Sequence, residues 1–201
     1  MRTMRADPAV RDSDWQALVE LGRLWTRPVG RGIPAYVPLG SRLTGLSYQL
    51  DGKAEQAVCR HVFSCPSTEV GGLLAGSVHE ESGSYFVSVS GALPADHTEA
   101  GATHLTFTGD TWLGLIHGRR AMAGPVIVGW YHSHPGAGVF LSPFDSFVHR
   151  SFFGDTPWYL ALVVDSVSGD RAAFDRCGAE IPLIKKPSSL SDRHKQGGQY
   201  Q

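Results

Sequence analysis

The amino-acid sequence predicts an α/β protein in which a β-sheet is sandwiched between helices. Two runs, residues 125–134 ("PVIVGWYHSH") and 158–166 ("WYLALVVDS"), are almost continuously apolar, as expected of strands covered on both faces. Segments with helical periodicity lie among the strand-like segments without strict alternation, which favours a sheet with helices packed on it. The length of 201 residues, 42% of them hydrophobic, suits one domain with terminal extensions.

The chain is predicted to have three parts. Residues 1–34 form a leader in which "DWQALVELGRLW" has the apolar spacing of a short helix, and "RPVGRGIP" then breaks the chain. Residues 35–184 form the folded body. Residues 185–201 are polar and rich in Gly and Ser, which predicts a disordered tail.

Capping, glycine and proline signals set the element boundaries within the body. The predicted helices are "KAEQAVCRHVFSCP", which ends at Pro66, "TGDTWLGLIHGRRAMA", which ends before Gly124-Pro125, and "SPFDSFVHRSFF". The predicted strands are a partly edge segment within 35–50, then "EVGGLLAGSV", "SYFVSVSGAL", "THLTF", the two apolar runs, and two closing strands, "RAAFDRC" and "EIPLI". The glycines of "EVGGLLAGSV" predict close approach of a neighbouring backbone.

Composition disfavours several classes of function. The formal net charge of −1 favours binding to neither nucleic acid nor an anionic membrane. No apolar run approaches the roughly 20 residues needed to span a bilayer, and the N-terminus lacks the apolar core of a signal peptide. Three cysteines leave one unpaired in any disulfide scheme, so we expect a reduced, cytoplasmic setting.

The segment "HSHPGAGVFLSPFD" contains the candidate metal-binding residues. His132 and His134 are two residues apart on a strand, so they face the same side. Ser142 is a good helix cap with Pro143 as the first helical residue, which places Asp145 in the first turn. If the intervening glycine-rich loop folds back, two imidazoles and one carboxylate meet. That set predicts a three-ligand zinc site with a fourth position open.

A simpler interpretation exists for each feature. Ser-x-x-Asp before an apolar helix is an ordinary capping arrangement, and two histidines at a strand end are often a surface pair. Strand alternation points Ser133 away from the metal. His149 lies one helical turn after Asp145, so it either touches the surroundings of the site or faces solvent. The remaining histidines show no ligand spacing: His61, His79, His97, His104, His117 and His194.

The same segment resembles the signature of the JAMM/MPN+ zinc metalloproteases, H-[ST]-H-P-x6-S-x-x-D preceded by a remote glutamate. Every element is present, and Glu69 in "TEVGGLLAG" matches the remote glutamate. The resemblance extends from about residue 53 to about residue 183 and leaves out the leader and the tail. It implies a curved, mixed β-sheet flanked by helices, similar to that of cytidine deaminases.

The resemblance also implies a role for each residue. His132, His134 and Asp145 match the ligands of a Zn²⁺ ion. Glu69 matches the general base that takes a proton from water and passes it to the leaving amine. Ser142 matches a residue that hydrogen-bonds the water or the developing oxyanion. These roles agree with how zinc, carboxylates and hydroxyls act in hydrolysis.

Members of this family mostly cleave peptide or isopeptide bonds after the C-terminal glycines of ubiquitin or ubiquitin-like proteins. Residues 95–110 lie where the family often carries a substrate-clamping insert, and their Gly, Thr and Ala content is typical of a loop that orders on binding. No long insertion follows the helix that begins after Ser142. The compact body resembles prokaryotic members, which accompany ubiquitin-like conjugation or sulfur-carrier systems, so E1- or E2-like proteins are expected partners.

Two other functions remain open at this stage. One is a non-catalytic MPN scaffold that binds partners, although a scaffold has no need of all five motif residues. The other is a zinc hydrolase of a small molecule or nucleobase, suggested by the deaminase-like fold. The absence of the H-x-E and P-C-x-x-C pattern of zinc deaminases weighs against a deaminase.

Overall fold

A computed structural model describes residues 30–31, 45–95, 99–100, 105–106, 111, 114, 125–153 and 156–184. The predicted leader helix and the predicted tail lie outside the described residues. Only two residues of the predicted helix at 108–123, Thr111 and Gly114, are described, and both have helical backbone. None of the helices in the described part combines the length and apolarity that a bilayer crossing requires.

Ten strands and two helices are described, and they agree closely with the predicted order. The strands are β1 (Gly30–Arg31), β2 (Leu46–Leu50), β3 (Gly71–Glu81), β4 (Ser84–Pro94), β5 (Glu99–Ala100), β6 (Leu105–Thr106), β7 (Val126–His134), β8 (Leu160–Asp165), β9 (Arg171–Phe174) and β10 (Glu180–Ile181). The helices are α1 (Gly52–Ser64) and α2 (Pro143–Phe153).

The main sheet is mixed, as predicted, with strand order β10-β9-β8-β7-β3-β4-β2 and with β1 paired to the far end of β3. Strands β7 and β8 are parallel, as are β2 and β4 and also β1 and β3. The other pairs in this sheet are antiparallel. Strand β7 therefore lies in the middle of the order, which explains its almost continuous apolar sequence.

The two outer strands of this order, β2 and β10, are connected through the chain after β10. The Tyr48 N–H donates to the Pro182 carbonyl at 3.1 Å, and the Ile184 N–H donates to the Tyr48 carbonyl at 2.7 Å. Leu183 forms a parallel bridge with Tyr48. This segment covers the free edge of β2, so the "EIPLI" strand does close the sheet as expected.

Helices cover both faces of β7. On one face, Val128 and Tyr131 belong to a buried cluster that also includes Ala54, Val58 and Val62 of α1. On the other face, Ile127 and Trp130 pack with Val148 and Phe153 of α2. Helix α1 begins where the Asp51 carboxylate accepts a hydrogen bond from the Lys53 N–H at 2.9 Å.

Several predicted boundaries differ from the structure; helix α1, for example, ends at Ser64 rather than at Pro66. Strand β3 begins at Gly71 rather than at Glu69, so Glu69 precedes the strand. The closing strand "RAAFDRC" ends at Phe174, because the Asp175 carboxylate accepts hydrogen bonds from the Cys177 and Ala179 N–H groups and bends the chain into a turn. Within residues 95–110, β6 falls in the predicted strand "THLTF", and it pairs antiparallel with β5, a strand that was not predicted.

The glycines of β3 lie where the sequence predicted close backbone approach. A Cβ atom on Gly72 would collide with the Leu93 carbonyl oxygen, and one on Gly76 would collide with the Ser88 carbonyl oxygen. Both obstacles are backbone atoms of β4, which cannot move without disturbing the β3–β4 pairing. These two positions therefore allow β4 to lie tightly against β3.

Gly76→Ala should lower the free energy of unfolding by about 1–3 kcal/mol, because the added methyl group must displace the β4 backbone. Chemical denaturation measures this change. Gly52→Ala is the matched control, since a Cβ atom there would meet nothing within 4 Å. Equal stabilities for the two variants would show that β4 has room to retreat.

Candidate metal centre

Three ligand-type side chains meet at the end of β7. His132 and His134 are the last alternate residues of that strand, and Asp145 lies in the first turn of α2. The His132 Nε2 and His134 Nε2 atoms are 3.1 Å apart. The Asp145 Oδ2 atom is 3.4 Å from the first and 3.5 Å from the second. All three residues are buried, so the structure brings together the set that the sequence suggested.

This triangle fits a tetrahedral zinc ion. Zinc bonds of about 2.0–2.1 Å at tetrahedral angles separate neighbouring ligand atoms by about 3.3 Å. The three observed separations, from 3.1 to 3.5 Å, bracket that value. Two imidazoles and one carboxylate are also a donor set that zinc prefers. The residues present therefore match the metal in both spacing and chemistry.

A backbone carbonyl orients His134. The Nδ1 atom of His134 lies 2.9 Å from the Gly138 carbonyl oxygen, which can only accept a hydrogen bond. In the neutral ring the proton must then be on Nδ1, and the Nε2 lone pair faces Asp145 and His132. This is the tautomer that a metal requires.

His132 is held by stacking instead. Its ring lies on Trp130, with centroids 4.6 Å apart and 13° between the planes. The Trp130 indole N–H donates to the Nδ1 atom of His149 at 3.0 Å, which fixes the indole. His149 is thus buried rather than solvent-facing, and burial lowers its pKa to about 4. Within the described residues, the Nδ1 atom of His132 has no hydrogen-bond partner.

The helix cap positions Asp145. The Ser142 N–H donates to Asp145 Oδ2 at 2.8 Å, and the Asp145 N–H donates to Ser142 Oγ at 3.1 Å. Ser-x-x-Asp thus both caps the helix and supplies a ligand atom. The Asp145 Oδ2 atom that accepts from the Ser142 N–H is the same atom that lies near both imidazoles. Capping fixes the carboxylate before any metal arrives.

Glu69 lies beside this cluster, two residues before the start of β3. The Val70 N–H donates to Ser133 Oγ at 3.0 Å, and the Ser133 N–H donates to the Val70 carbonyl at 2.8 Å. Ser133 thus faces away from the two neighbouring histidines, as predicted, and ties the Glu69 segment to β7. Glu69 is 4% exposed. Burial raises its pKa to about 7, with the His134 charge opposing this shift and the Asp145 charge adding to it.

The charges of the cluster are those of a cation site. Burial lowers the pKa of His132 and favours its neutral form. Burial alone would raise the pKa of Asp145, but hydrogen bonds with His132 and His134 outweigh it and hold that pKa well below its usual range. Burial likewise lowers the pKa of His134, yet hydrogen bonds with Asp145 and Gly138 outweigh it and raise that pKa. The carboxylate is therefore ionised and draws a positive charge.

Three residues near the centre were not identified from the sequence. Trp130 and Phe140 flank the two imidazoles, and Phe140 is an exposed residue whose ring centroid lies 4.8 Å from that of His134. Asp165 ends β8 directly opposite His134 in the parallel pairing. The sequence offered one indication of a role for Asp165, which is that an otherwise apolar, buried strand ends in a carboxylate. His61 shows no ligand spacing in the sequence, and the structure agrees with this. Its Nδ1 atom lies 2.8 Å from the Tyr131 hydroxyl, outside the metal cluster.

Comparison with known proteins gives a family. The family model described as JAB1/Mov34/MPN/PAD-1 ubiquitin protease matches residues 43–157. COP9 signalosome complex subunit 5 of Eremothecium gossypii is 34% identical over 153 residues, which cover 75% of this chain and 36% of that protein. The NAD(+) hydrolase TcpA of a Theionarchaea archaeon is 35% identical over 91 residues, which cover 39% of this chain and 27% of that protein. The matched segments thus span about a quarter to little more than a third of these relatives' length.

A solved structure supports the fold. The solution structure of protein DSY2949 from Desulfitobacterium hafniense superposes with a TM-score of 0.54 and 21% sequence identity. The match covers 73% of this chain and 98% of that one. At this identity the likeness concerns the fold alone.

Glu69→Gln should stabilise the metal-free protein, and more so as the pH rises. The pKa of Glu69 is about 7 in the folded protein against an ordinary 4.5. The folded state therefore keeps a proton that the unfolded chain releases, and wild-type stability falls between these two pH values. Glutamine has no such proton, so its advantage should grow, by up to about 3 kcal/mol, between about pH 5 and pH 8.

Thermal melts of the two proteins in a chelating buffer provide this measurement. Glu80→Gln, at an exposed position of β3, is the matched control that removes one carboxylate elsewhere on the same strand. A constant difference between Glu69→Gln and wild type across this pH range would mean that Glu69 has an ordinary pKa.

Proposed function

Because the chain belongs to the JAB1/Mov34/MPN/PAD-1 ubiquitin protease family, we propose that it is a zinc-dependent peptidase or isopeptidase. Its substrate in this proposal is ubiquitin or a ubiquitin-like protein, cleaved after the C-terminal Gly-Gly. The observation that carries the proposal is the buried triangle of His132, His134 and Asp145 with Glu69 beside it. A buried carboxylate of raised pKa next to three preformed ligands is typical of a catalytic site rather than of a surface that only binds partners.

His132, His134 and Asp145 would hold the zinc ion. The ion would supply Lewis-acid chemistry, polarising the scissile carbonyl and lowering the pKa of water. The protein's part is to keep the three ligand atoms at their spacing and to exclude bulk water from them. Burial of all three side chains and the cap on Asp145 do both.

Glu69 would transfer the proton. A carboxylate oxygen of Glu69 takes the proton from the attacking water and delivers it to the nitrogen of the leaving amine. A pKa of about 7 suits both steps, because the group is neither too weak a base nor too weak an acid at neutral pH. A cation at the cluster would lower this pKa and favour the carboxylate form that starts the cycle.

Ser142 would stabilise the developing oxyanion. Its Oγ atom already accepts a hydrogen bond from the Asp145 N–H, so its position is fixed by the cap. A hydroxyl that accepts one hydrogen bond still has its own proton to donate. Donation to a negative charge that forms only in the transition state lowers the barrier without tightening substrate binding.

The proposed substrate and partners are inferred from the family and from residues 95–110, where the family often carries a substrate-clamping insert. Residues 95–110 contain the β5–β6 pair, which we propose to bind alongside an extended glycine tail. An E1- or E2-like conjugation system is the proposed source of the substrate. The similarity to an NAD(+) hydrolase favours one alternative, hydrolysis of a small molecule, although that match covers 27% of the relative.

A substrate panel tests the proposal. Ubiquitin-like proteins that end in Gly-Gly, extended by a peptide or joined to a lysine, should be cut after the second glycine. A bulky residue in place of that glycine should prevent cleavage, because the proposed substrate is an extended tail of small residues. NAD(+) belongs in the same panel. Turnover of NAD(+) without cleavage of any fusion would favour the small-molecule alternative, and no turnover by the zinc-loaded protein would favour a scaffold.

Glu69→Gln should reduce kcat for the cleaved fusion by about 10²–10⁴-fold, with little change in KM, because the carboxylate is used only on the way to the transition state. Zinc content should be unchanged, since the three ligands remain. Glu80→Gln, on the exposed part of β3, should behave as wild type. Near-normal turnover by Glu69→Gln would remove Glu69 from the mechanism, and loss of zinc would make it a ligand or a structural residue.

A further inference from the structure

Asp165 is a buried carboxylate that the proposed mechanism does not use. It ends β8 and lies directly opposite His134 in the parallel β7–β8 pairing. The residue is 4% exposed. A carboxylate buried this deeply needs partners, and the identity of those partners shows what it does.

The partners of Asp165 are backbone N–H groups from two loops. Its Oδ2 atom accepts from the Gly138 N–H at 2.7 Å. Its Oδ1 atom accepts from the Val167 N–H at 2.8 Å and from the Ser168 N–H at 3.1 Å. Hydrogen bonds to an ionised acceptor are stronger than neutral ones. One carboxylate therefore joins the loop after β7 to the turn after β8.

Gly138 connects this carboxylate to the metal centre. Its N–H donates to Asp165, and its carbonyl accepts from Nδ1 of His134 at 2.9 Å. Gly138 has a φ of +86°, a backbone conformation that residues with a side chain rarely adopt. Glycine adopts that region freely but is not confined to it, so a contact with a neighbouring group is needed to fix its conformation. The Asp165–Gly138 hydrogen bond is such a contact.

The backbone of His134 has separate support. The Ser166 N–H donates to the His134 carbonyl at 2.9 Å, and the Gly136 N–H donates to the same oxygen at 3.0 Å. The Ser166 hydrogen bond does not involve the Asp165 side chain, whereas the Gly136 N–H also interacts with that carboxylate. Loss of the carboxylate should therefore release the His134 ring while the strand end stays in position.

We propose that Asp165 is a positioning residue that, through Gly138, fixes the ring orientation and the Nδ1–H tautomer of His134. Its relevance to zinc rests on the proposed function, whereas its effect on the tautomer does not. Asparagine at position 165 cannot accept on both sides, because its NH₂ group must face either Gly138 or the Val167–Ser168 turn. Asp165→Asn is thus the sharpest variant.

The matched control is Asp170→Asn. Asp170 lies in the same turn, is exposed, and accepts a hydrogen bond from the Ser168 hydroxyl at 2.8 Å rather than from Gly138. Both variants remove one carboxylate charge on the same side of the centre. A general electrostatic effect would appear in both, and an effect through Gly138 only in Asp165→Asn.

The first readout is imidazole ¹⁵N NMR of the metal-free protein at a pH where His134 is neutral. Wild type and Asp170→Asn should show His134 with Nδ1 protonated and Nε2 unprotonated. Asp165→Asn should show a mixture of the two tautomers. An unchanged His134 spectrum in folded Asp165→Asn would overturn the proposal.

If Asp165→Asn does not fold, amide hydrogen exchange of the wild-type protein tests the proposal instead. The Gly138 amide should exchange much more slowly than the Ala137 amide in the same loop. Equal exchange rates would overturn the proposal, because they would show that the Asp165–Gly138 bond does not persist in solution.

The second readout is zinc affinity, measured by competition with a chelator. Asp165→Asn should bind zinc about 10–100-fold more weakly, as expected when the support of a metal-binding histidine is lost, and Asp170→Asn should match wild type. Equal affinities for Asp165→Asn and wild type would contradict the role toward zinc. Neither readout uses a substrate, so a failure of the proposed peptidase activity would remain distinguishable.

Discussion

Two imidazole nitrogens 3.1 Å apart, with a carboxylate oxygen within 3.5 Å of both, cannot remain buried unless something positive lies among them. Two facing lone pairs repel each other, and an ionised carboxylate out of water needs a partner. A proton shared within the cluster meets this need in the metal-free protein, and it explains why the pKa of His134 is raised while that of Asp145 is lowered. A divalent cation meets it better, because all three lone pairs can then point inward.

The surrounding fold holds these atoms close together against their repulsion. The sheet supplies two of them by ending β7 between β3 and β8, and the helix cap of α2 supplies the third. The two imidazoles are held in different ways: stacking on Trp130 restrains His132, and a hydrogen bond to Gly138 restrains His134. Ser133, between them, ties Glu69 to the same strand. Glu69 and the two imidazoles are therefore all held at one strand end.

The sequence predicted whatever depends on local periodicity. Strand alternation placed His132 and His134 on one side and Ser133 on the other, and the Ser-Pro start of α2 placed Asp145 in the first turn. Glycine positions predicted the tight β3–β4 contact. The resemblance to a family was needed to connect Glu69 with the cluster, because no local pattern links residues so far apart in sequence.

Contacts that depend on long-range pairing could not be read from the sequence. Asp165 meets His134 through the parallel β7–β8 register, which is set across an intervening helix. The Trp130–His149 hydrogen bond depends on which face of α2 packs against β7. Residues 182–184 pair with β2 only because the sheet curves far enough for its outer strands to meet. Each of these three contacts depends on how distant segments pack in the folded protein, which no local sequence pattern specifies.

The central claim is that His132, His134 and Asp145 form one zinc site, and X-ray absorption at the zinc edge of the loaded protein tests it most directly. The account predicts about one zinc per chain with four nitrogen or oxygen ligands at about 2.0–2.1 Å, two of them imidazoles. The His134→Ala variant should lose most of the metal. Sulfur scattering at about 2.3 Å, which would place zinc on a cysteine, or a shell without imidazole would contradict the account.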